Sequence, residues 1–426
     1  MALRTAQLNV LVVSQLLAGV GVASGIAVGG LLAQQLSGTV AMAGLAQTSS
    51  VLGAGLWAIP LARLADRRGR RWGLSCGYGL AVAGTLLILA SAALDSLVLL
   101  FVGLGAFGAG TAAGLQARFA AVEVVEPGYR GRAMSIVLWA TTIGSIAGPN
   151  LSQVGSDVGV RLGIEPLTGP YLFSLVAFAG AALVIALGLG VSPGAEGDVD
   201  TLDPTAVSTA EPGPAATAPE PRLSWVAGLR IGLRNPSTRL AVVAITCSHT
   251  VMVGVMVMTP VHMHDNGFSL FLVGLVLSIH IFGMYGASPV MGWLADRTSS
   301  VGVLLVGVVV FVAALLVGGA AGRHSMLTIS LALGLLGLGW SAGMIGGSTL
   351  LTESVTPQVK ASVQGGTDAV MNIAAACSAA LSGLVVRWGG YPALNLVAAV
   401  VLLPMAVLVI RSSAARRSAT VAERAR

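Results

Sequence analysis

Residues 62–71 read ARLADRRGRR, and residues 292–301 read GWLADRTSSV. Both stretches contain Leu-Ala-Asp-Arg, first at 64–67 and again at 294–297, and each follows a long apolar run. A motif that recurs at the same point of two apolar segments predicts a chain built from two similar halves. In repeat-built membrane proteins the functional site lies where the two repeats meet.

The composition places the chain in a membrane. Of its 426 residues 55% are hydrophobic and only 9% are charged, whereas soluble domains carry about a quarter charged residues. The net charge of +6 does not indicate a nucleic-acid partner, because no basic soluble module is present to carry it. We therefore predict a polytopic membrane protein that meets the lipid bilayer and no nucleic acid.

Twelve apolar runs are long enough to cross a bilayer, which needs about 20 residues per helix. The predicted spans are 8–35, 42–62, 72–93, 96–121, 132–155, 169–191, 239–261, 268–293, 301–320, 325–350, 359–386 and 391–410. Residues 192–222, rich in Pro, Ala, Thr and acidic side chains, have too little apolar surface to fold. We expect an N-terminal six-helix bundle at 1–191, a disordered cytoplasmic linker at 192–238, a C-terminal bundle at 239–411 and a basic cytoplasmic tail at 412–426.

The distribution of basic residues predicts the orientation. With the N-terminus in the cytoplasm, 20 of the 23 Lys and Arg residues fall in the cytoplasmic segments, as the positive-inside rule requires. The sequence thus predicts an all-α protein of the cytoplasmic membrane with both termini inside. The net positive charge is largely a consequence of this topology.

Three features together resemble a known family. The loop LADRRGRR (64–71), the segment GSIAGP (144–149) and the division into six and six spans are similar to those of the major facilitator superfamily. The resemblance implies two pseudo-symmetric six-helix bundles and secondary transport by alternating access, in a monomer with no permanently bound cofactor. It departs from the usual pattern at Ala62, where the family has glycine, and in LVLLFVGLGAFGAG (97–110) of the fourth span, which has no counterpart of the arginine associated with proton coupling. No nucleophile–base arrangement or phosphate-binding loop indicates an enzyme.

The two loops that carry the repeated motif are predicted to form a conformational latch. Carboxylates there can cap a helix terminus or pair with arginines from neighbouring loops, and so hold one of two transport states. The alternative is a plain solvated loop. The predicted latch residues are Asp66, Arg67, Gly69, Arg70, Asp296 and Arg297.

Polar side chains inside the spans are candidates for coupling, because burying them in lipid is costly. Gln364, Asp368 and Asn372 lie at i, i+4 and i+8 and so share one helix face. Asp368 is the first candidate for coupling to a proton or another cation, and a packing role is the alternative. Asn150, just after the Gly-Pro pair of the fifth span, is expected to line the same polar cavity.

Histidine and methionine concentrate in the seventh and eighth spans. His249, Met252 and Met256 lie at i, i+3 and i+7, and His280 and Met284 at i and i+4. Thioether and imidazole ligands suit a soft cation such as Cu(I). Because consecutive spans run antiparallel, the two sets are predicted to face each other as one metal site, although flexible packing by methionine is the alternative.

The stretch HMH at the end of the seventh span is predicted to be the outer entrance of this path. It consists of His262, Met263 and His264. The pattern Met-x-x-x-Met followed by His-x-x-x-Met, here Met252, Met256, His280 and Met284, also resembles the CcoA-like copper-uptake branch of the superfamily. That resemblance implies a copper ion as the substrate.

Three functional hypotheses follow from the sequence. The first is Cu(I) uptake through the Met/His residues, and the second is proton-coupled export of small organic solutes or drugs. The third is a non-transporting membrane sensor on the same fold. The direction of transport stays open, since the Gly-Pro bend favours export and the Met/His pattern favours import.

Overall fold

A computed structural model describes residues 2–126, 130–190, 225–320 and 325–424. Long α-helices dominate, with one 3₁₀ turn at Pro166–Thr168. The first half contains α1 (Ala2–Ser37), α2 (Ala41–Arg68), α3 (Arg70–Ala93), α4 (Leu97–Glu123), α5 (Arg130–Leu162) and α6 (Gly169–Gly188). The second contains α7 (Trp225–Gly232), α8 (Pro236–Asp265), α9 (Leu270–Tyr285), α10 (Ser288–Arg297), α11 (Ser300–Gly319), α12 (Met326–Ser354) and a final helical segment, Pro357–Arg424.

The final segment contains two helices, because Gly390 has φ 70° and ψ −172° and interrupts the helical path. We call them α13 (357–389) and α14 (391–424). Ten stretches of the described chain are apolar and long enough to span a membrane, and the last of these, Ser362–Ala415, includes both α13 and α14. Splitting it, and adding the 33-residue α5, gives the twelve expected spans, of which α9 and α10 together form the eighth.

The helix ends follow local signals in the sequence. Ser96, Asn235 and Ser269 each accept a hydrogen bond from a backbone N–H in the first turn of the helix that follows, which satisfies a donor that the helix leaves unpaired. Gly69, with φ 92°, is the whole connection between α2 and α3. Helix α8 continues through Pro260 to Asp265, so helical geometry persists into the HMH stretch.

Two predicted boundaries need correction. Residues 225–232 of the predicted linker form the helix α7, which packs against α13, and α8 begins at 236. Residues 192–224 of the predicted linker lie outside the described residues. The predicted tail at 412–426 is not a separate element either, since α14 continues to Arg424.

The two halves meet through pairs of helices that repeat with the same spacing as the motif. The backbone at Gly44 approaches the carbonyl of Ala379 too closely for a side chain, and 230 positions later Gly274 approaches the carbonyl of Pro149 in the same way. Thr48 donates a hydrogen bond to the carbonyl of Ala376 at 3.0 Å. Its equivalent, Ser278, donates to the carbonyl of Ile146 at 2.8 Å, so the duplication extends from the loops to the interface between the halves.

These contacts lie toward one side of the membrane. We call the side that holds both termini the terminal face and the other the distal face. At the distal ends of α1 and α8, Gln34 Nε2 donates to Asp265 Oδ1 at 3.1 Å. Nearer the terminal face, Leu52 and Leu56 continue the contact stripe of α2 but are exposed, Leu56 by 75%.

The residues of α13 that face Leu52 and Leu56 are exposed at the same level of the membrane. A Cβ placed on Gly365 would meet no atom within 4 Å, and Asp368 and Asn372 are exposed. Helices α2 and α13 are therefore in contact distally and apart near the terminal face. The central cavity opens toward the terminal face.

Candidate functional site

The cavity between the halves is uncharged where the structure closes around it. Small and apolar side chains form most of its wall, and Gln47 and Ser50 supply polar groups. Its two adjoining parts are lined by Gly25, Ile26, Gly29, Gly30, Ala43, Ala46, Gln47, Ser50, Leu104, Phe107, Met256, Val257, Pro260 and Leu277. A wall of this kind suits an uncharged or weakly polar ligand, because a desolvated charge would find no partner there.

An aromatic cluster lies in the cleft between α8 and α9. Trp340 Nε1 of α12 donates to His249 Nδ1 of α8 at 3.0 Å, and the Trp340 ring meets Tyr285 of α9 edge-on, with centroids 5.6 Å apart. Helices α8 and α9 scarcely touch each other, whereas α12 packs against both. Because α8 and α9 also contact the first half, the cleft between them faces the cavity, with Trp340 at its base.

The hydrogen bond fixes the protonation of the histidine. Since Nδ1 of His249 accepts, the neutral ring carries its proton on Nε2, which is left to donate. His249 and Trp340 are partly exposed, and Tyr285 is 40% exposed. The cleft therefore offers ring faces and one N–H donor near the middle of the membrane.

The same cleft is lined differently in the first half. Counting back 230 positions, Tyr285 corresponds to Gly55, where a Cβ would meet no atom within 4 Å, and His249 corresponds to Gly19, which is buried against the Thr141 carbonyl of α5. Trp340 corresponds to Thr111, because α4 and α12 align with an offset of 229: Gly108 packs on the Ser50 carbonyl as Gly337 packs on that of His280. The cleft of the second half is thus aromatic, whereas Gly55 and Thr111 occupy the positions of Tyr285 and Trp340 in the first half, where Phe107 contributes a ring to the cavity wall.

The predicted face-to-face metal site is not what the structure contains. Met256 lines the central cavity, whereas Met252 is buried in the core at 3% exposure and Met284 at 7%. His280 is fully buried and turned toward α12, where its Nδ1 lies 2.8 Å from the Leu333 carbonyl. The two spans do not meet face to face, because α12 packs between them; metal binding by these residues stays a prediction.

His280 nevertheless has a feature of metal-binding histidines. A carbonyl can only accept, so Nδ1 carries the proton and the lone pair is on Nε2. That Nε2 is buried and has no hydrogen-bond partner in the described structure. Among the residues that the structure describes, no three His, Cys, Asp or Glu side chains come together, so any metal site would depend on methionine sulfur.

The three residues of the predicted outer entrance point in different directions. The His262 ring stacks on Tyr391 with centroids 4.4 Å apart, Met263 is fully buried and His264 is exposed. Consecutive helical positions are separated by about 100°, so they cannot line one opening. The structure therefore does not bring the three side chains together, and a role at an outer entrance stays a prediction.

The polar stripe on α13 has the predicted geometry. Gln364, Asp368 and Asn372 are all exposed, and Asn372 Nδ2 donates to the backbone carbonyl of Asp368 at 2.8 Å. Asn150 is elsewhere: its Nδ2 donates to Ser278 Oγ at 2.7 Å. It belongs to the contact between α5 and α9 and not to the cavity with Asp368.

The predicted latch residues are described in part. The Asp66 side chain lies outside the described residues, and Arg67, Asp296 and Arg297 are exposed. Arg70 forms a salt bridge of 2.7 Å with Glu123 of α4, within the first half. Arg297 lies over the Trp293 ring at 4.9 Å, within the second half.

Sequence reasoning missed two groups of residues. One is Trp340 with Tyr285; a tryptophan in an apolar span needs a partner for its N–H, which was the available signal. The other is a buried network in which Gln15 Nε2 donates to the Tyr78 hydroxyl at 2.6 Å and Thr141 Oγ1 donates to Gln15 Oε1 at 3.0 Å. This network ties α1, α3 and α5 together, and no local pattern indicates it.

Sequence comparisons give consistent results over the whole chain. The family model described as Major Facilitator Superfamily matches residues 11–279 and 241–426. The uncharacterized MFS-type transporters YdeG and YddS of Bacillus subtilis are 34% and 33% identical, each over 95% of this chain and 91% and 90% of their own length. The riboflavin transporter RfnT of Brucella anthropi is 28% identical over 91% of this chain and 90% of its own. These relatives give no support to the copper-uptake branch.

Solved structures share the fold. A bacterial homolog of the human lysosomal transporter Spinster, inward-facing and unoccupied, has a TM-score of 0.67 at 17% identity and covers 96% of this chain and 94% of its own. A mutant of the nucleoside transporter NupG has a TM-score of 0.71 at 15% identity, and the match covers 97% of this chain and 99% of the NupG chain. At this identity the likeness concerns the fold alone.

Proposed function

The chain belongs to the Major Facilitator Superfamily, and on that premise we propose that it carries a planar aromatic solute across the cytoplasmic membrane by alternating access. In this proposal both termini are cytoplasmic, as the basic residues favour. The terminal face is then the cytoplasmic side, and the structure is open inward. The solute enters the cavity between the two six-helix halves.

The observation that carries the substrate class is the cluster of Trp340, His249 and Tyr285. Aromatic rings attract other ring systems through stacked and edge-on contacts worth about 0.5–1.5 kcal/mol each beyond the area they bury. The His249 N–H can donate to a ring nitrogen or carbonyl of the solute. Gly55 in the first half, where a Cβ would meet no atom within 4 Å, leaves space for a flat molecule.

A relative is consistent with this class. RfnT is named as a transporter of riboflavin, which is a planar heteroaromatic molecule. Riboflavin is therefore a suitable probe, although the identity of 28% does not carry the substrate itself. The proposal is limited to a flat, uncharged ring system.

The test measures riboflavin flux and binding in proteoliposomes. We expect Trp340→Ala to lower the affinity about tenfold, corresponding to roughly 1.4 kcal/mol of lost ring contact. Trp388→Ala is the matched control, since Trp388 is 81% exposed and away from the cleft, and it should leave the affinity unchanged. Equal effects of the two replacements, or no binding of riboflavin or other flat heteroaromatic solutes, would reject the aromatic substrate class.

Copper remains a second candidate because of the buried Nε2 of His280. Histidines that bind metal typically donate their other N–H to a carbonyl or carboxylate, as His280 does to Leu333. In the same vesicles Cu(I) flux separates the two candidates. Copper flux that His280→Ala abolishes and Trp340→Ala spares would favour copper.

A further inference from the structure

The short helix α7 docks on α13 through a face of small residues. Its sequence, WVAGLRIG, places Gly228 and Gly232 four positions apart, and both are buried. A Cβ on Gly232 would lie 3.1 Å from Val363, and one on Gly228 would collide with Ser362. This is close packing of the type that glycines at i and i+4 permit.

The rest of the surface of α7 combines apolar and basic side chains. Val226 and Ile231 are exposed by 53% and 44%, and Arg230 is exposed beside them. Arg234 and Arg239 follow at the start of α8 and are exposed too. None of these three arginines forms a salt bridge with another described residue, and residues 221–264 contain no Asp or Glu.

The position of α7 is fixed by the helices around it. Asn235, next to α7, caps α8 and donates to the carbonyl of Ser354 at the terminal end of α12 at 3.0 Å. The α7 surface therefore lies at the terminal face of the membrane. Helices with apolar and basic residues on one surface bind at the headgroup layer, and anionic lipids attract their basic side chains.

We propose that α7 lies in the headgroup layer of the terminal face and binds anionic phospholipid. Arg230, Arg234 and Arg239 contact the phosphate of the headgroup, and Val226 and Ile231 enter the acyl boundary. The lipid also restrains the end of α13, the helix that separates from α2 when the cavity opens. The binding site is independent of the transported substrate.

The test titrates phosphatidylglycerol and phosphatidylcholine onto the full-length protein in detergent and counts bound lipid by native mass spectrometry. We expect phosphatidylglycerol to bind at least tenfold more tightly than phosphatidylcholine. The variant R230Q/R234Q/R239Q should lose this preference. The matched control R63Q/R68Q/R71Q removes three arginines from the same face and should change it less than threefold.

Two further comparisons define the site. V226S/I231S keeps the charge and should weaken phosphatidylglycerol binding severalfold, whereas an unchanged affinity would contradict insertion into the bilayer. Equal losses in the two arginine variants would indicate only general surface charge and would overturn the proposal. So would competition by millimolar inorganic phosphate, which would indicate a free-anion site.

Discussion

Asp368 changes its surroundings when the halves close over the terminal face. It is exposed on the part of α13 that has separated from α2. The antiparallel contacts of Gly44 with Ala379 and of Thr48 with Ala376 place Leu56 opposite Asp368 when the register is continued. We propose that closure brings an apolar side chain toward the carboxylate and removes it from the open cavity, so that the carboxylate must be protonated or paired.

Asp368→Asn is therefore expected to uncouple transport from the proton gradient. Gradient-driven accumulation of riboflavin should fall at least tenfold, while exchange at equal concentrations continues, because the amide needs no proton on burial. Asp157→Asn, which replaces an exposed carboxylate that accepts a hydrogen bond from Gln153, serves as the control. Accumulation by Asp368→Asn at the wild-type level would show that this residue does not couple.

Single residues were predictable where their own helix determined the geometry. The stripe of Gln364, Asp368 and Asn372 follows from helical periodicity alone. The pairing of His249 with Trp340 could not be predicted, because the two residues lie on different spans 91 positions apart. Partners of that kind are set by how the helices pack.

We propose that the helix pairs α2/α13 and α5/α9, which contact each other across the two halves, form the pivot on which the halves rock. Each pair combines a glycine that lets two backbones touch with a hydroxyl that bonds to a carbonyl one turn away. Close backbone contact allows the helices to tilt without large side-chain rearrangement. The two helix pairs are related by the repeat, so the same kind of contact joins the halves at both helix pairs.

Replacing a pivot glycine with leucine should block transport. Gly44→Leu and Gly274→Leu each force the backbones apart, and we expect the flux in proteoliposomes to fall more than tenfold. Gly79→Leu is the control, since a Cβ at Gly79 meets no atom within 4 Å, and its flux should match the wild type. Normal flux in both pivot variants would show that these contacts do not support the movement.

The helices themselves were the most predictable part of the protein. Apolar length predicted twelve spans, and ten stretches of the described chain are apolar and long enough to cross a membrane, the last of them containing two helices. The predicted start of the seventh span at 239 is three residues late, because Asn235 caps α8 and the helix begins at Pro236. The failure was the arrangement of the seventh and eighth spans, which neighbour each other in the sequence but are separated by α12. Linear order favours contact between consecutive helices, and here tertiary packing prevailed.

Alternating access requires a second state of the whole molecule, with the terminal face closed. If the antiparallel register of Gly44 with Ala379 and Thr48 with Ala376 continues along α2 and α13 in this closed state, Leu52 lies opposite Asn372. Asp66 then lies opposite the first turn of α13. A helix N-terminus stabilises a nearby carboxylate by about 0.3–1 kcal/mol. The predicted latch thus becomes a proposal for the closed state, in which Asp66 caps α13.

Two engineered disulfides should be mutually exclusive. In a C76S/C247S/C377S background, Gln34→Cys/Asp265→Cys should cross-link in the terminal-open state, and Leu52→Cys/Asn372→Cys only after the terminal face closes. Either cross-link should stop transport, and a reductant should restore it. The pair Gln153→Cys/Asp157→Cys lies within α5, where Cβ atoms at i and i+4 are too far apart for a disulfide; it controls for the added cysteines and should leave transport intact. Simultaneous formation of both test cross-links in one molecule would contradict the two-state motion.

The acceptors at the pivot are main-chain carbonyls, those of Ala376, Ala379, Ile146 and Pro149. A main-chain carbonyl persists through almost any substitution, so only the small donor-side residues are held to their identity. After duplication, the two repeats could accumulate mutations independently without losing the contacts that hold the two halves together. This freedom is compatible with the difference between the two repeats, in which Trp340 and Tyr285 of one correspond to Thr111 and Gly55 of the other.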